Sequence, residues 1–291
     1  MRVKQDPAGN PEGDHPAHPE LDHVLDEARA HGDEPPTLEK LARSAHFSPF
    51  HLSRRLREHM GFPLRDFLAA LCVERGIEEL VEGHDVIRAQ TEAGHESASS
   101  FTRSFARHTG LAPSRYRDQL RFLAAYLARH MDSTDPLIAL YRGFPDDVHP
   151  QEHPLTLRVD GAQPGTAVFI ALNSRLILRG APELGVALLG TAEYTVDQIP
   201  DGTYYAMVVE VPRSAGMRAY FQMDRNRRQL RREPITFPLA EPLEVVLELR
   251  DLLPTDPPIT PNLPKLFFEG VLSSVTAEDR NSGQAPGAAG S

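Results

Sequence analysis

Between Thr37 and Gly110 the chain repeats one local rhythm, and that repetition constrains its fold more than any other feature. Thr37 is an N-cap candidate for a helix burying Leu38, Leu41, Ala42 and Ala45; a break at His46-Phe47 leads to Ser48 as the next cap, with Pro49 at the first helical position. This second helix buries Leu52 and Leu56 and ends before Gly61. From Asp85 the rhythm returns: a short helix through Glu92, a turn at Ala93-Gly94-His95, and a helix bearing Phe101 and Phe105 that stops at Gly110. A long helix over about residues 63–83 joins the two units, with Phe67, Leu68, Leu71, Cys72 and Leu80 as its apolar stripe. Gly76 in its interior should cost about 1 kcal/mol relative to Ala.

The flanks extend this into a multidomain chain of α and β parts. Residues 1–18 lack a hydrophobic period and read as a disordered leader. Leu21, Val24, Leu25 and Ala28 share one face of a helix that starts at Pro19, with Gly32 as its stop, and LAPSRYRDQLRFLAAYLARHM closes the helical domain, 19–131. After a linker, 132–149, the texture becomes β-branched and aromatic: LTLRVDG, TAVFIALN, AEYTVDQI, GTYYAMVVEV and LEVVLELRD predict an antiparallel β-sandwich over 150–275. The stretch AEYTVDQIPDGTYYAMVV is similar to the strand–turn–strand hairpin of prealbumin-like sandwich modules. LLPTDPPITPNLPKL reads as an extended strap packed by its leucines, and residues 276–291 as a disordered tail.

Charge is unevenly distributed. The net formal charge is −10, yet residues 34–120 carry 12 basic against 12 acidic side chains, while both flanks are acidic. Within this balanced segment, FSPFHLSRRLREHMG gathers Arg54, Arg55 and Arg57 on one short helix, which locates any anionic partner. No apolar run approaches the roughly 18 residues of a membrane helix, and the first 20 residues are too polar for a signal peptide, so the expectation is a soluble cytoplasmic protein with no membrane partner. Cys72, the single cysteine, sits in FLAALCV and reads as a reduced core residue.

A helix–turn–helix lays its second helix in the major groove, one stripe packed inward and the other facing base edges. On the helix after Ser48, Phe50, His51, Ser53, Arg54 and Arg57 lie off the buried stripe. Arg54 suits bidentate contact with guanine, and Phe50 suits thymine methyl groups; His51, Arg55 and Arg57 suit phosphates.

LEKLARSAHFSPFHLSRRLREHMGFPLRDFL, followed by EAGHESASSFTRSFARHTGLAPSRYR, resembles the DNA-binding domain of the AraC/XylS family of bacterial transcription regulators, over roughly residues 20–120. Gly94, Ser99, Phe101, Arg103, Phe105, Gly110, Pro113, Tyr116 and Arg117 fall in the family's spacing, as do Leu41-Ala42, Ser48-Pro49, Leu52 and Gly61. The resemblance implies a double-stranded DNA partner and a sequence-specific regulator reading two successive major-groove faces. It also implies base contacts by Phe50, Ser53 and Arg54 in the first unit and Ala98, Ser99 and Arg103 in the second. Phosphate contacts are expected from His51, Arg55, Arg57, Ser100, Arg107 and Arg117. Ala89-Gln90 and His95 depart from the family's apolar pattern, so the second unit is expected to pack less tightly.

The C-terminal domain is expected to bind a small-molecule effector, a protein partner or a second copy of the chain. RAYFQMDRNRRQLRRE, residues 218–233, reads as a solvated segment or as a further phosphate or acidic-partner contact. His149 and His153 are the nearest thing to a metal pair, but Pro150 and Pro154 deny them helical spacing, so neither metal nor cofactor is expected. No nucleophile–base pair or phosphate loop stands out, and an enzyme is not expected. The alternative is a non-catalytic ligand- or protein-binding module that keeps a degenerate DNA-binding scaffold.

Overall fold

A computed structural model of the chain describes residues 18–30, 37–95, 97–130, 137–212, 216–266 and 268. Helices come first: α1 (Pro19–Arg29), α2 (Leu38–Ser44), α3 (Pro49–Met60), α4 (Leu64–Val81), α5 (Val86–Glu92), α6 (Ala98–Thr109) and α7 (Pro113–His130). Strands follow: β1 (Leu137–Arg142), β2 (Pro150–Asp160), β3 (Ala167–Asn173), β4 (Leu184–Leu189), β5 (Glu193–Gln198), β6 (Gly202–Val211), β7 (Arg228–Leu230), β8 (Ile235–Phe237) and β9 (Leu243–Glu248). The leader up to residue 17, the helix stop expected at Gly32 and the tail 276–291 lie outside the described residues.

The helix ends follow from their caps. The side chains of Thr37, Ser48, Asp85 and Ser97 accept backbone N–H groups three residues on, from Lys40, His51, Arg88 and Ser100. Both α3 and α6 stop on a left-handed glycine, Gly61 at φ 82° and Gly110 at φ 76°. The two turns also close alike: Phe47 N–H reaches back to the Ala42 carbonyl at 2.9 Å, and His95 N–H to the Gln90 carbonyl at 3.1 Å. Their left-handed residue differs, Gly94 in the second turn and His46 (φ 57°) in the first. A side chain there costs on the order of 1 kcal/mol.

Each unit has its own core. Leu21, Leu25, Leu41, Leu52, Leu56 and Phe67 pack together in the first, and Val73, Ile77, Phe101, Phe105 and Tyr116 in the second. Helix α4 serves both, its N-terminal half in one core and its C-terminal half in the other. A Cβ on Gly76 would come within 3.0 Å of the Phe101 ring, so this glycine is what lets α6 seat on α4. The loose packing expected of the second unit does not appear. Ala89 and Ala93 are buried, and the half-buried His95 ring lies 5.6 Å from Phe101, its pKa lowered by burial, so it fills an aromatic position beside this core.

The C-terminal part is a two-sheet sandwich. β1-β4-β3-β6-β7 form one antiparallel sheet, with β8 pairing the start of β6, and β5-β2-β9 form the other. Four features differ from the sequence reading. Within the stretch read as linker, Leu137–Arg142 is a strand paired along its length with β4. β4, β7 and β8 were not foreseen. The expected hairpin after β5 is absent: β5 pairs β2 in the small sheet and β6 pairs β3 in the large one, so Pro200-Asp201 crosses between sheets. β2 and β9 run parallel, an exception to the antiparallel rule.

The large sheet is covered on both faces. Along β6, Tyr204, Ala206 and Val208 face the small sheet with Leu155, Leu157 and Leu247, whereas Met207, Val209 and Val211 join the core of α4, α6 and α7. The strap after β9 is seated by Pro257–Asn262, all buried, rather than by Leu252 and Leu253, which are half-buried. The fully buried Tyr116 hydroxyl donates to the Pro261 carbonyl at 2.9 Å. Among the described residues no helix is long and apolar enough to cross a membrane.

Candidate nucleic-acid interface

Helices α3 and α6 are built to one plan, twelve residues each, Ser-capped at the start and Gly-capped at the end. Counting from the caps pairs Phe50 with Ser99, His51 with Ser100, Leu52 with Phe101, Ser53 with Thr102, Arg54 with Arg103, Leu56 with Phe105 and His59 with His108. The inward positions are buried in both helices and apolar except for the histidine pair; the outward positions are polar or aromatic and exposed or half-buried.

On α3, Phe50 is 81% exposed, a large apolar side chain presented to solvent. His51, Arg54 and Arg57 are exposed and Ser53 is half-buried beside them. Among the described residues Arg54 pairs with Glu58, one turn on at 3.5 Å, both well exposed. Arg55 behaves differently: its guanidinium meets Glu20 at 2.7 Å and sits over the Phe47 ring, tying α3 to α1. That internal engagement counts against the phosphate role expected of it.

On α6, Ala98, Ser99 and Arg103 are exposed, with Arg103 Nε donating to the Ser99 carbonyl at 3.3 Å. Ser100 is half-buried, its hydroxyl 3.4 Å from His95 Nδ1, and Arg107 is exposed in the last turn. Arg117, on α7, is half-buried next to Asp118 at 3.7 Å. Apart from Arg55 and Arg117, the expected contacts therefore lie on the outer faces of two equivalent helices.

Two further residues join these outer faces. Thr102 is exposed at the position equivalent to Ser53 by counting from the serine caps, the count by which Ala98 pairs with Pro49. Arg65, whose side chain is 85% exposed, lines one cleft with Ser53 and Arg57, and only the tertiary meeting of α3 with α4 brings them together.

The histidines at matching positions have separate tasks. His59 Nε2 lies 2.8 Å from Asp22 on α1. His108 is buried, its Nδ1 2.9 Å from the Ser104 carbonyl, and desolvation lowers its pKa despite that bond and the nearby Asp66.

The arginines of residues 218–233 are mostly ties within the fold, which corrects the reading of a solvated or phosphate-binding segment. Arg227 donates to the carbonyls of Gly161 (2.8 Å) and Leu249 (2.7 Å) and pairs with the fully buried Glu210. Arg228 is buried in β7, Arg231 binds Glu233, and Arg232 reaches the Met60 carbonyl at the end of α3. His149 and His153 flank the start of β2 and form no ligand cluster with other described residues. Glu79, Glu82 and His84 do converge, but Glu79 is paired with both Arg88 and His84 at 2.7 Å.

Residues 41–119 match the family model described as a helix-turn-helix domain. An uncharacterized HTH-type transcriptional regulator of Bacillus subtilis (strain 168), YobQ, is 33% identical over 85 residues, 29% of this chain and 35% of that protein. The matched region thus spans about a third of the length of that curated relative. Among solved structures, the DNA-binding domain of AdpA in complex with a target DNA is 29% identical, covering 39% of this chain and 97% of that one, with a TM-score of 0.32. A protein of unknown function from Listeria innocua is 27% identical, covering 34% of this chain and 94% of that one, with a TM-score of 0.32.

Proposed function

We propose, from a helix-turn-helix domain of the AraC/XylS type at residues 41–119, that the chain is a sequence-specific DNA-binding transcriptional regulator that sets α3 and α6 into successive major-groove faces. The observation that carries this reading is the matched pair of capped helices, each burying one stripe and exposing the other. Phe50, Ser53 and Arg54 on α3, and Ala98, Ser99 and Arg103 on α6, are the base-reading candidates, with Thr102 added by its equivalence to Ser53. His51, Arg57, Ser100, Arg107 and Arg117, joined by Arg65, are the phosphate candidates. Readout is by hydrogen bonds and apolar contacts, with no chemistry done on the DNA. The β-rich domain is the half that takes an effector, a protein partner or a second copy of the chain.

The acidic flanks outside residues 34–120, which carry the net charge of −10, support specificity, since they disfavour DNA away from the arginine-bearing helices. The test is selection of binding sites by the full-length protein from a randomised duplex pool at physiological salt. Two enriched blocks about 10 base pairs apart are expected. No enrichment, with weak binding equal on all sequences, overturns the reading in favour of the binding module on a degenerate scaffold.

A further inference from the structure

The two helix–turn–helix cores are separate, and within the helical part α4 is the one element that enters both. A single helix is a poor way to fix the mutual placement of two recognition helices, because small twists along it are magnified at their outer faces. The β-rich domain supplies a second link. Its β3–β4 connection sends Ile177 into the first unit's core and Leu178 into the second, each buried, while Leu176 packs against both.

The same domain closes the ends of both recognition helices. At α3, Leu176 lies so near Gly61 that a Cβ there would come within 2.9 Å of it, and the Arg232 guanidinium donates to the Met60 carbonyl at 2.6 Å. At α6, Gly180 N–H donates to the His108 carbonyl at 3.0 Å, and Lys265 lies over Gly110. These donors supply hydrogen bonds to last-turn carbonyls, which a helix end leaves unsatisfied. Arg179 pairs with Asp66 in the first turn of α4, and the Asn262 side chain holds the Gly180 carbonyl from the strap at 2.6 Å. Connection and helix α4 together form a triangle with the two recognition helices.

We propose that the connection 174–180, with Arg232, is a spacer that fixes the separation and angle of α3 and α6, and so the half-site spacing that the protein accepts. The inference rests on the DNA-binding reading for its functional half. Shifting one half-site by two base pairs rotates it about 70° around the duplex, which a rigid pair of helices cannot follow.

The test uses duplexes carrying the two blocks selected by the intact protein, moved together or apart by up to about two base pairs. Two full-length variants are compared: Ile177→Ala/Leu178→Ala, and a replacement of residues 175–178 by Gly-Ser-Gly-Ser. The intact protein is expected to lose at least about tenfold in affinity off its preferred spacing, and the variants under about threefold, with single-block affinity unchanged. Spin labels at Glu58→Cys and Thr102→Cys, in a Cys72→Ala background and without DNA, should give a narrow distance distribution that broadens in both variants. Unchanged spacing preference, or an unchanged label distribution, in variants that remain folded by circular dichroism overturns the proposal. If the intact protein selects no sites at all, the DNA-binding reading falls, and the label distances alone judge the spacer.

Discussion

Arginine plays opposite parts in two regions of this molecule. On α3 and α6, Arg54, Arg57, Arg103 and Arg107 stand exposed, whereas between β6 and β9 Arg227, Arg228 and Arg232 turn inward to carbonyls or into the core. The cause is the backbone each group sits on. A helix satisfies its own carbonyls, so a guanidinium on its outer face finds few acceptors nearby and is left to solvent or a groove. The loops and element ends around the inward set, at Gly161, Asn226, Leu249 and the last turn of α3 at Met60, leave carbonyls unmatched, and a side chain with five N–H donors gathers them. A dense run of arginine therefore signals an anion site only where the backbone beneath it is already satisfied.

The largest expected effect breaks the inward set. Arg227→Ala removes two carbonyl ties and leaves Glu210 buried with only the Gln163 N–H, and should destabilise the fold by roughly 3 kcal/mol in urea unfolding. A loss under about 0.5 kcal/mol would return Arg227 to the solvated class. The outward set responds in binding instead of stability. Arg54→Ala and Arg103→Ala should each cost about 1–3 kcal/mol on the selected site and little on random duplex, while Arg57→Ala weakens all sequences alike. Equal losses on every sequence at all three positions would remove base readout from the comparison.

How far this division could be read in advance differs between the regions. On α3 the apolar Leu52 and Leu56 and the Ser48 cap already mark Arg54 and Arg57 as outward, because helical period and capping are local properties, but they do not show that Arg55 finds Glu20 on α1. Residues 218–233 have no such period. Whether Arg227 turns inward depends on Glu210 in β6, Gly161 after β2 and Leu249 after β9, three partners brought in by topology. The same limit hid β1, whose LIALYR is short and gains its identity from pairing with β4, and the separation of β5 from β6 into different sheets. It also hid the seating of the second unit: Gly76 and His95 read as weaknesses until Phe101 is seen to pack against both.

His108 sharpens the comparison at the point where the domains meet. Desolvation lowers its pKa from the ordinary 6.5, with Arg179 and Arg107 adding to the effect, and the Ser104 carbonyl and Asp66 opposing it. The folded state thus prefers the neutral ring. Its contribution to stability is full above about pH 6.5 and is lost as pH falls toward the lowered folded value, at no more than about 1.4 kcal/mol per pH unit for one proton. His108→Gln should flatten that part of the stability curve between pH 7.5 and 5.5. An unchanged slope would mean that the ring is not the acid-sensitive group.

Arg55 is the smallest and most diagnostic case, because it lies on a recognition helix yet behaves like the inward set. Its pair with Glu20 is partly exposed, so Arg55→Ala should cost little stability. If its only task is to hold α1 on α3, the salt dependence of DNA binding keeps its slope in the variant. If instead the guanidinium leaves Glu20 for a phosphate in the complex, the slope falls by about one unit, as for Arg57→Ala. The first outcome extends the rule to the helix itself, since Arg55 has an acceptor within the fold and uses it. The second would show that a weak surface pair yields to the duplex and that the backbone argument holds only for the free protein.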